Sequence, residues 1–381
     1  MACVDLCPRG AVAIKDDMIH YNAVITKESC IECGMCYRVC QKNHSMQTKQ
    51  PIKWYQGWAE DPDIREKSSS GGFATAMSNA FVKMGGVVCS CVFDEGKFVF
   101  DFAERVEEVK RFSGSKYVKS NMQGTYKQIL ELLKSDRKVL FIGLPCQVAA
   151  MKNVVGDKFG KGLYTADLIC HGTPSPKLLD CFLKQYGKSL DSLSDIQFRV
   201  KAKMQVHGDY RGIVTKGVSD KYTIAFLNSF TFTENCYECD YAQKARVSDI
   251  TLGDSWGSEL PMDEQKKGIS LVLCQTTKGL ELIEQAKLHL ENVDLDNAIA
   301  NNHQLERPSA LPSSRSEFFY SLARKKSFNR MVFKSFPKQC LRQDVKEALI
   351  KLKIIRGGKI NYGILVFQLQ PDVKKAKDTT E

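Results

Sequence analysis

Four cysteines within eleven residues constrain this chain more than any other feature. Cys30, Cys33, Cys36 and Cys40 read C-x2-C-x2-C-x3-C. That spacing lets a tight loop aim three thiolates at one cubane 4Fe-4S cluster, while the fourth lies a helical turn further on and reaches a second cube. Gly34 sits where the backbone must come close to the cluster. Zinc knuckles use paired C-x2-C units rather than four cysteines in one short run, so the iron–sulfur reading is preferred over zinc.

A broken copy of the same run precedes it. Met1-Ala2-Cys3-Val4-Asp5-Leu6-Cys7-Pro8 matches the second half of a C-x2-C-x2-C-x3-C-P run whose first two cysteines are absent. In two-cluster ferredoxins the fourth cysteine of each run serves the other cluster. One cube therefore keeps a full set, Cys7, Cys30, Cys33 and Cys36. The other retains Cys3 and Cys40 alone, which do not hold a cube. Gln41 stands where the pattern usually has proline. A start restored upstream would complete the second cube.

The chain has 15 cysteines in 381 residues and no apolar signal core at its N-terminus. This usage points to a reducing compartment and metal ligation rather than a disulfide framework, and the expected location is cytoplasmic. No apolar run approaches the length of a membrane span. The length suggests two or three domains with a real core. The net charge of +11 is concentrated near the end, where residues 304–381 carry 17 Lys and Arg against 7 Asp and Glu. Such a segment can attract an acidic protein, nucleic acid or an anionic membrane surface. A solvated tail of Lys/Arg helices is the simpler reading, and no specific nucleic-acid site is expected.

Along the chain, residues 51–67 read as a connector broken by Pro51, Gly57 and Asp61-Pro62. Lys67-Ser68-Ser69-Ser70-Gly71-Gly72 then opens a helical pattern carrying Phe73, Met77, Ala80, Phe81 and Met84, stopped by Gly85-Gly86. A Ser/Gly loop at a helix start offers N–H groups to a phosphate, and equally an ordinary serine cap. Strands are expected at Val87–Phe93 and Lys97–Ala103, with a short helix from Val106 to Phe112. Ser113-Gly114-Ser115-Lys116-Tyr117 has parts suited to holding a phosphate and stacking a ring. The helix Tyr126–Leu133, the strand Lys138–Leu144, a helix after Pro145, the strand Leu163–Ile169 and the helix Pro176–Tyr186 alternate as in a parallel or mixed sheet. Hairpin-like strands are expected from Asp195 to Phe232, a strand and glycine-rich loop over Ser248–Gly257, a strand over Gly268–Thr276 and a helix over Thr277–Leu290.

Cys146 and Cys170 end two of these strands, where ligands gather in such sheets. With the C-x2-C of Cys236 and Cys239 they make a set of four that suits zinc, a cubane cluster or, if they do not converge, simple packing. Cys89, Cys91, Cys181, Cys274 and Cys340 read as packing residues. His171 is a candidate proton donor or an ordinary loop histidine.

These motifs together resemble the coenzyme F420 hydrogenase/dehydrogenase beta-subunit family with a ferredoxin module in front. The match runs through Lys67–Gly72, Gly114-Ser115-Lys116-Tyr117, Leu144-Pro145-Cys146-Gln147, Leu168-Ile169-Cys170-His171-Gly172, Cys236-x2-Cys239 and Ser248–Asp254, in the family's order. The resemblance implies FAD held by Ser69, Ser70, Gly71, Gly72, Gly114, Ser115, Lys116 and Tyr117 and by the strand through Thr251 to Gly253 and Asp254. It also implies a 4Fe-4S cluster on Cys146, Cys170, Cys236 and Cys239. It further implies an oxidoreductase that passes electrons between clusters and flavin, and onward to coenzyme F420 or another two-electron acceptor.

The expected fold is α+β: a small two-cluster ferredoxin-like domain at 1–50, then a mixed α/β sheet domain that binds flavin, with parts at 61–145 and 146–292, and a basic helical tail at 304–381. Two cubes and one FAD are expected. A ferredoxin-like or other redox protein is the expected partner. The alternative is a non-catalytic electron-transfer subunit of a larger complex.

Overall fold

The structure is a computed structural model that describes residues 1–201 and 203–356; the end of the expected basic tail, 357–381, lies outside the described residues. The N-terminal unit contains α1 (Ala2–Asp5), the antiparallel pair β1 (Val12–Asp16) and β2 (Tyr21–Ile25), and α2 (Met35–Arg38). The chain continues through β3 (Lys53–Ala59), α3 (Pro62–Lys67), α4 (Phe73–Lys83), β4 (Val87–Asp94), β5 (Lys97–Ala103) and α5 (Val106–Val109). Next come α6 (Thr125–Lys134), β6 (Val139–Gly143), α7 (Pro145–Phe159), β7 (Leu163–Leu168) and α8 (Pro176–Lys184). A small antiparallel sheet of β8 (Ile196–Val200), β9 (Lys203–Gly208) and β10 (Arg211–Gly212) precedes α9 (Lys221–Leu227). The remainder is β11 (Ile250–Asp254), α10 (Met262–Lys267), β12 (Ser270–Cys274), α11 (Thr277–Gln285), β13 (Leu288–Glu291), α12 (Leu295–Ala300), α13 (Arg315–Ala323), α14 (Phe328–Ser335) and α15 (Pro337–Lys351).

The large sheet runs β13-β3-β12-β11-β7-β6-β4-β5. Its centre, β4, β6, β7 and β11, is parallel, and antiparallel pairs flank it on both sides. Alternation along each strand sends Val87, Cys89, Val139 and Phe141 to the face covered by α6 and α7. Val88, Leu140 and Ile142 go to the opposite face, under Met77 and Phe81 of α4 and Ile283 of α11. Both faces are buried, which is why these strands read as near-continuous apolar runs. The architecture is α+β with a mixed sheet, as the sequence pattern implies.

Four stretches differ from the expectation. Residues 51–67 are not a connector: they form an inner strand and α3. Gly57 marks a close approach rather than a break, since a Cβ there would sit 1.9 Å from the His289 carbonyl oxygen of β13. The helix expected to reach Leu290 stops at Gln285, and Leu288–Glu291 pairs with β3. Residues 221–227 are a helix rather than a hairpin arm, because Asp220 caps them by accepting from Thr223 N at 2.7 Å. The basic C-terminal helices are not a solvated tail. Phe318, Phe328, Val332 and Cys340 are buried with Phe182, Phe198 and Phe230 in a core of their own.

The N-terminal unit is fastened to the rest by capping contacts. Gly124, the residue before α6, has no side chain to cap with, so Asp5 supplies the acceptors: Oδ1 takes Gly124 N at 2.7 Å and Oδ2 takes Tyr126 N at 3.2 Å. Ser175 Oγ contacts both oxygens of Asp16 at 2.7 Å, and Tyr241 donates to Gln41 O at 2.7 Å. These contacts seat the cysteine ladder beside α6, α7 and the Cys236–Cys239 loop.

Candidate cofactor cleft and cysteine centres

The carboxyl ends of the parallel strands open into a cleft of ≈ 290 Å³. Open α/β sheets bind ligands at this edge. Two polar loops form one wall and are tied together, Ser115 N donating to Ser69 Oγ at 2.9 Å and the Thr75 and Ser113 hydroxyls meeting at 3.3 Å. α4 begins on Gly72, in the left-handed region at φ 92, with no side-chain cap. Its first turn, Phe73 to Thr75, lines the cleft, so unpaired N–H groups are offered to an anion.

Of the residues expected to hold FAD, Ser69, Ser70, Gly72, Gly114, Ser115, Lys116, Tyr117, Gly253 and Asp254 line this cleft. Gly71 and Thr251 lie behind its wall. Gly71 N is bound to Ser270 Oγ at 3.0 Å, and the buried Thr251 hydroxyl pairs with the Gln275 amide at 3.1 Å. Three of the lining residues are already engaged. Lys116 Nζ donates to the carbonyls of Phe112 at 2.9 Å and Ser113 at 3.1 Å, and burial lowers its pKa. The Tyr117 ring stacks on Phe226 with centroids 4.5 Å apart. Asp254 is paired through both oxygens with Arg199 at 2.5 and 2.9 Å. Burial, the largest single influence, opposes the Arg199 charge, but Asp254 and Tyr117 together outweigh it and raise the pKa. Lys201, on the turn between β8 and β9, donates to the carbonyls of Arg65 and Ser70 behind the serine loop. Burial first, then Arg65 and Arg199, lower its pKa to about 8.

His171 lines the cleft and is enclosed by protein. Burial, reinforced by His303, lowers its pKa to about 4, so its ring is neutral at physiological pH. The Gln304 amide nitrogen lies 2.8 Å from both His171 Nδ1 and His303 Nε2. With that amide donating, the ring hydrogen of His171 is on Nε2.

Cys146 opens α7, Cys170 follows β7, Cys236 ends a short 3-10 turn (Glu234–Cys236) and Cys239 lies on the loop after it. They come together closely enough for Cys170 to feel the charge of each of the other three. Each keeps some accessible surface, and Cys170 lines the cleft. Burial pushes the Cys146 thiol up to about 12 and raises Cys170 further. Cys236 moves the other way: burial is outweighed by Lys119 and by the hydroxyls of Thr233 and Thr173, whose oxygens lie 3.5 and 3.8 Å from its sulfur. Among the described residues no three His, Cys, Asp or Glu side chains stand in the arrangement of an assembled metal site. In the N-terminal unit, Ala11 N donates to Cys7 Sγ at 3.2 Å and Glu32 N to Cys30 Sγ at 3.4 Å. Gly34 is left-handed, as a loop curled around sulfur requires, and Cys33 is exposed. Cys40 acts electrostatically on Cys3. Tyr126 stands among Cys146, Cys3 and Asp5, and Tyr241 among Cys146, Cys239 and Cys40, so two buried tyrosines lie between the cysteine groups. Cys89, Cys274 and Cys340 are fully buried packing residues, and Cys91 and Cys181 are partly buried.

The motif reading missed Arg199, Trp256, Asn302 and Gln304, which reach the site from separate parts of the chain. Comparison with known families matches residues 54–126 to the N-terminal part, and residues 136–297 to the C-terminal part, of the beta subunit of coenzyme F420 hydrogenase/dehydrogenase. The chain belongs to the coenzyme F420 hydrogenase/dehydrogenase beta-subunit family. Membership makes it a redox protein of the hydrogenase/dehydrogenase type. Both polar loops, Cys146, Cys170, Cys236, Cys239 and β11 fall within the matched stretches, whereas the cysteine ladder and the helices after Ala300 do not. The chain is also similar to one in the xenon-derivatised F420-reducing [NiFe] hydrogenase complex from Methanosarcina barkeri. That match is 21% identical, covers 68% of this chain and 90% of that one, and has a TM-score of 0.48. No curated protein matches. Among the described residues no helix is long and apolar enough to cross a membrane.

Proposed function

We propose that this protein is an iron–sulfur flavoprotein oxidoreductase that moves electrons between 4Fe-4S clusters and FAD, working in the cytoplasm as part of a larger redox assembly. The observation that carries the reading is the position of Cys170. It belongs to the four-cysteine group and also lines the cleft, so a metal centre and a bound flavin would share one wall.

The residues present suit these groups. Thiol sulfurs already accept N–H and O–H contacts of the kind that steady cluster thiolates. One cluster would be held by Cys7, Cys30, Cys33 and Cys36, and another by Cys146, Cys170, Cys236 and Cys239. Cys3 and Cys40 would remain as half of a third set. The open first turn of α4 and the Gly114 loop suit the pyrophosphate of FAD, with Lys116 stiffening that loop from behind. When bound, the clusters carry single electrons and the flavin exchanges two at a time, joining one-electron to two-electron chemistry. The chain's own residues bind and orient these groups. His171 holds a ring hydrogen at the cleft, where an electron pair arriving on a substrate needs a proton.

Anaerobic purification with iron, sulfide and flavin counted together tests the reading. We expect two cubes and one FAD per chain, and Cys146→Ala to remove one cube. Two persisting cubes would overturn the inner assignment, and zinc without iron or sulfide would overturn the redox reading.

A second reading is an electron-transfer protein with no substrate site of its own, serving a larger complex. It is favoured by the apolar side chains exposed around the cysteine ladder, where Ile31 is 58% and Tyr37 60% exposed, as a partner surface would be. Turnover by the isolated chain with an artificial donor would exclude it.

A further inference from the structure

Among the described residues four arginines are buried, and they fall into two kinds. Arg65 holds Glu264 at 2.6 Å, and Arg199 holds Asp254 at 2.5 Å. Arg246, 1% exposed, and Arg315, 4% exposed, have no carboxylate in ion-pair range among the described residues. Arg246 donates to the Tyr241 carbonyl at 2.7 Å and the Gln304 carbonyl at 3.3 Å, and Arg315 to the Phe232 carbonyl at 2.6 Å. The Nε of each has no partner. Carbonyl contacts soften a buried charge without cancelling it, and a buried charge lacking a counter-charge is strongly unfavourable.

Both sit where a counter-charge would be. Phe232 and Tyr241 bracket Cys236 and Cys239, so the two guanidiniums grip the cysteine loop at its two ends. Arg315 also lies 5.2 Å from the Tyr237 ring centroid, inside that loop. Arg246 acts electrostatically on Cys239. A third cation, Lys119, acts on Cys146 and Cys236. Asp167 is buried near Arg246 but makes neither an ion pair nor a hydrogen bond with it; burial raises its pKa and Arg246 lowers it.

We propose that Arg246 and Arg315 are built-in counter-ions of an anionic metal–thiolate centre on Cys146, Cys170, Cys236 and Cys239, and that their charge sets how readily this centre accepts an electron. The inference rests on the iron–sulfur reading of that site. Four thiolates leave a cubane centre net negative, and reduction makes it more so; a buried cation favours the more negative state and raises the reduction potential. The same logic gives the basic C-terminal segment a role. Its first helix, α13, begins at Arg315 and places that charge in the interior.

An EPR-monitored potentiometric titration of the full, anaerobically loaded chain tests this. In Arg246→Gln and Arg315→Gln the inner centre's midpoint should shift to more negative potential, and further in the double variant, while the outer centre does not move. Arg315→Lys, which keeps the charge but not the guanidinium geometry, should stay near the parent. Gln variants with full iron and sulfide and an unmoved inner potential would reduce both arginines to loop ties and overturn the proposal. If a Gln variant does not fold, melting of the parent and Arg315→Met, each metal-loaded and metal-free, decides. Loading should raise Tm less in the variant, and equal increments overturn the proposal. A parent chain with no iron or sulfide on the four cysteines would instead fail the underlying reading, before any arginine is changed.

Discussion

The two cysteine regions of this molecule are built on opposite principles. The N-terminal ladder lies on helices of four residues and a two-stranded ribbon, with Cys33, Ile31 and Tyr37 open to solvent. The inner group lies where a sheet edge, α7 and a loop converge, and buried Arg246 and Arg315 hold the two ends of that loop. Near the ladder, backbone N–H groups reach the sulfurs of Cys7 and Cys30. At the inner group, burial raises the Cys146 and Cys170 thiols, and fixed cations and hydroxyls counter it at Cys236. An exposed site suits exchange with a partner. An enclosed one suits control of charge, since electrostatic interactions strengthen as water is excluded.

The largest effect should come from removing one thiolate on each side. Cys239→Ala should cost on the order of 3–5 kcal/mol of stability in the loaded protein, because it leaves buried positive charge without its counter-charge. Cys33→Ala should leave melting of the sheet domain nearly unchanged while abolishing the outer cube. Equal losses in calorimetry would break the contrast between the regions. A smaller effect is expected at the joint. Asp5→Ala removes the remote cap of α6 and should cost about 1–2 kcal/mol. Hydrogen exchange should then rise at Gly124 and Tyr126 and across the N-terminal unit; unchanged protection would mean that the cap does not hold the two regions together. The smallest concerns the cleft alone. Lys201 loses its charge as pH rises through about 8. An anionic ligand in the cleft, held by the serine loop that Lys201 backs, should therefore bind more weakly above that pH than below it. Lys201→Met should remove the alkaline limb from a titration of flavin affinity. Because this lysine's folded pKa lies below its ordinary value, the protein's stability should rise with pH over the window above about 8, and that rise should also vanish in the variant.

Much of the fold was legible because the parallel strands are apolar on both faces and the helices between them carry one apolar stripe. β6 and β7 are read almost to the residue, and so is the start of α7. The misses have specific causes. Gly57 reads as a breaker because the need for it comes from β13, more than two hundred residues later. β13 is too short to declare itself beside α11. The aromatic residues of α13 and α14 are scattered among lysines and arginines, and show as core only once α8 and α9 are set against them. At the site, loops and cysteines with local spacing were found, whereas Arg199, Gln304, Arg246 and Arg315 carry no local signal.

By itself the sequence determined which atoms are available: a cysteine run with cluster spacing, two Ser/Gly loops, strand-end cysteines and a family pattern in a fixed order. Those depend on short-range spacing, which the chain carries wherever it folds. Tertiary structure alone decided which groups remain free to act. Lys116 turns back onto its own loop, Asp254 is taken by Arg199, Gly71 and Thr251 lie behind the wall, and two buried arginines hold backbone carbonyls at the two ends of the Cys236–Cys239 loop. Burial and partnership are properties of three-dimensional neighbourhoods, and contacts between residues far apart in the chain set them.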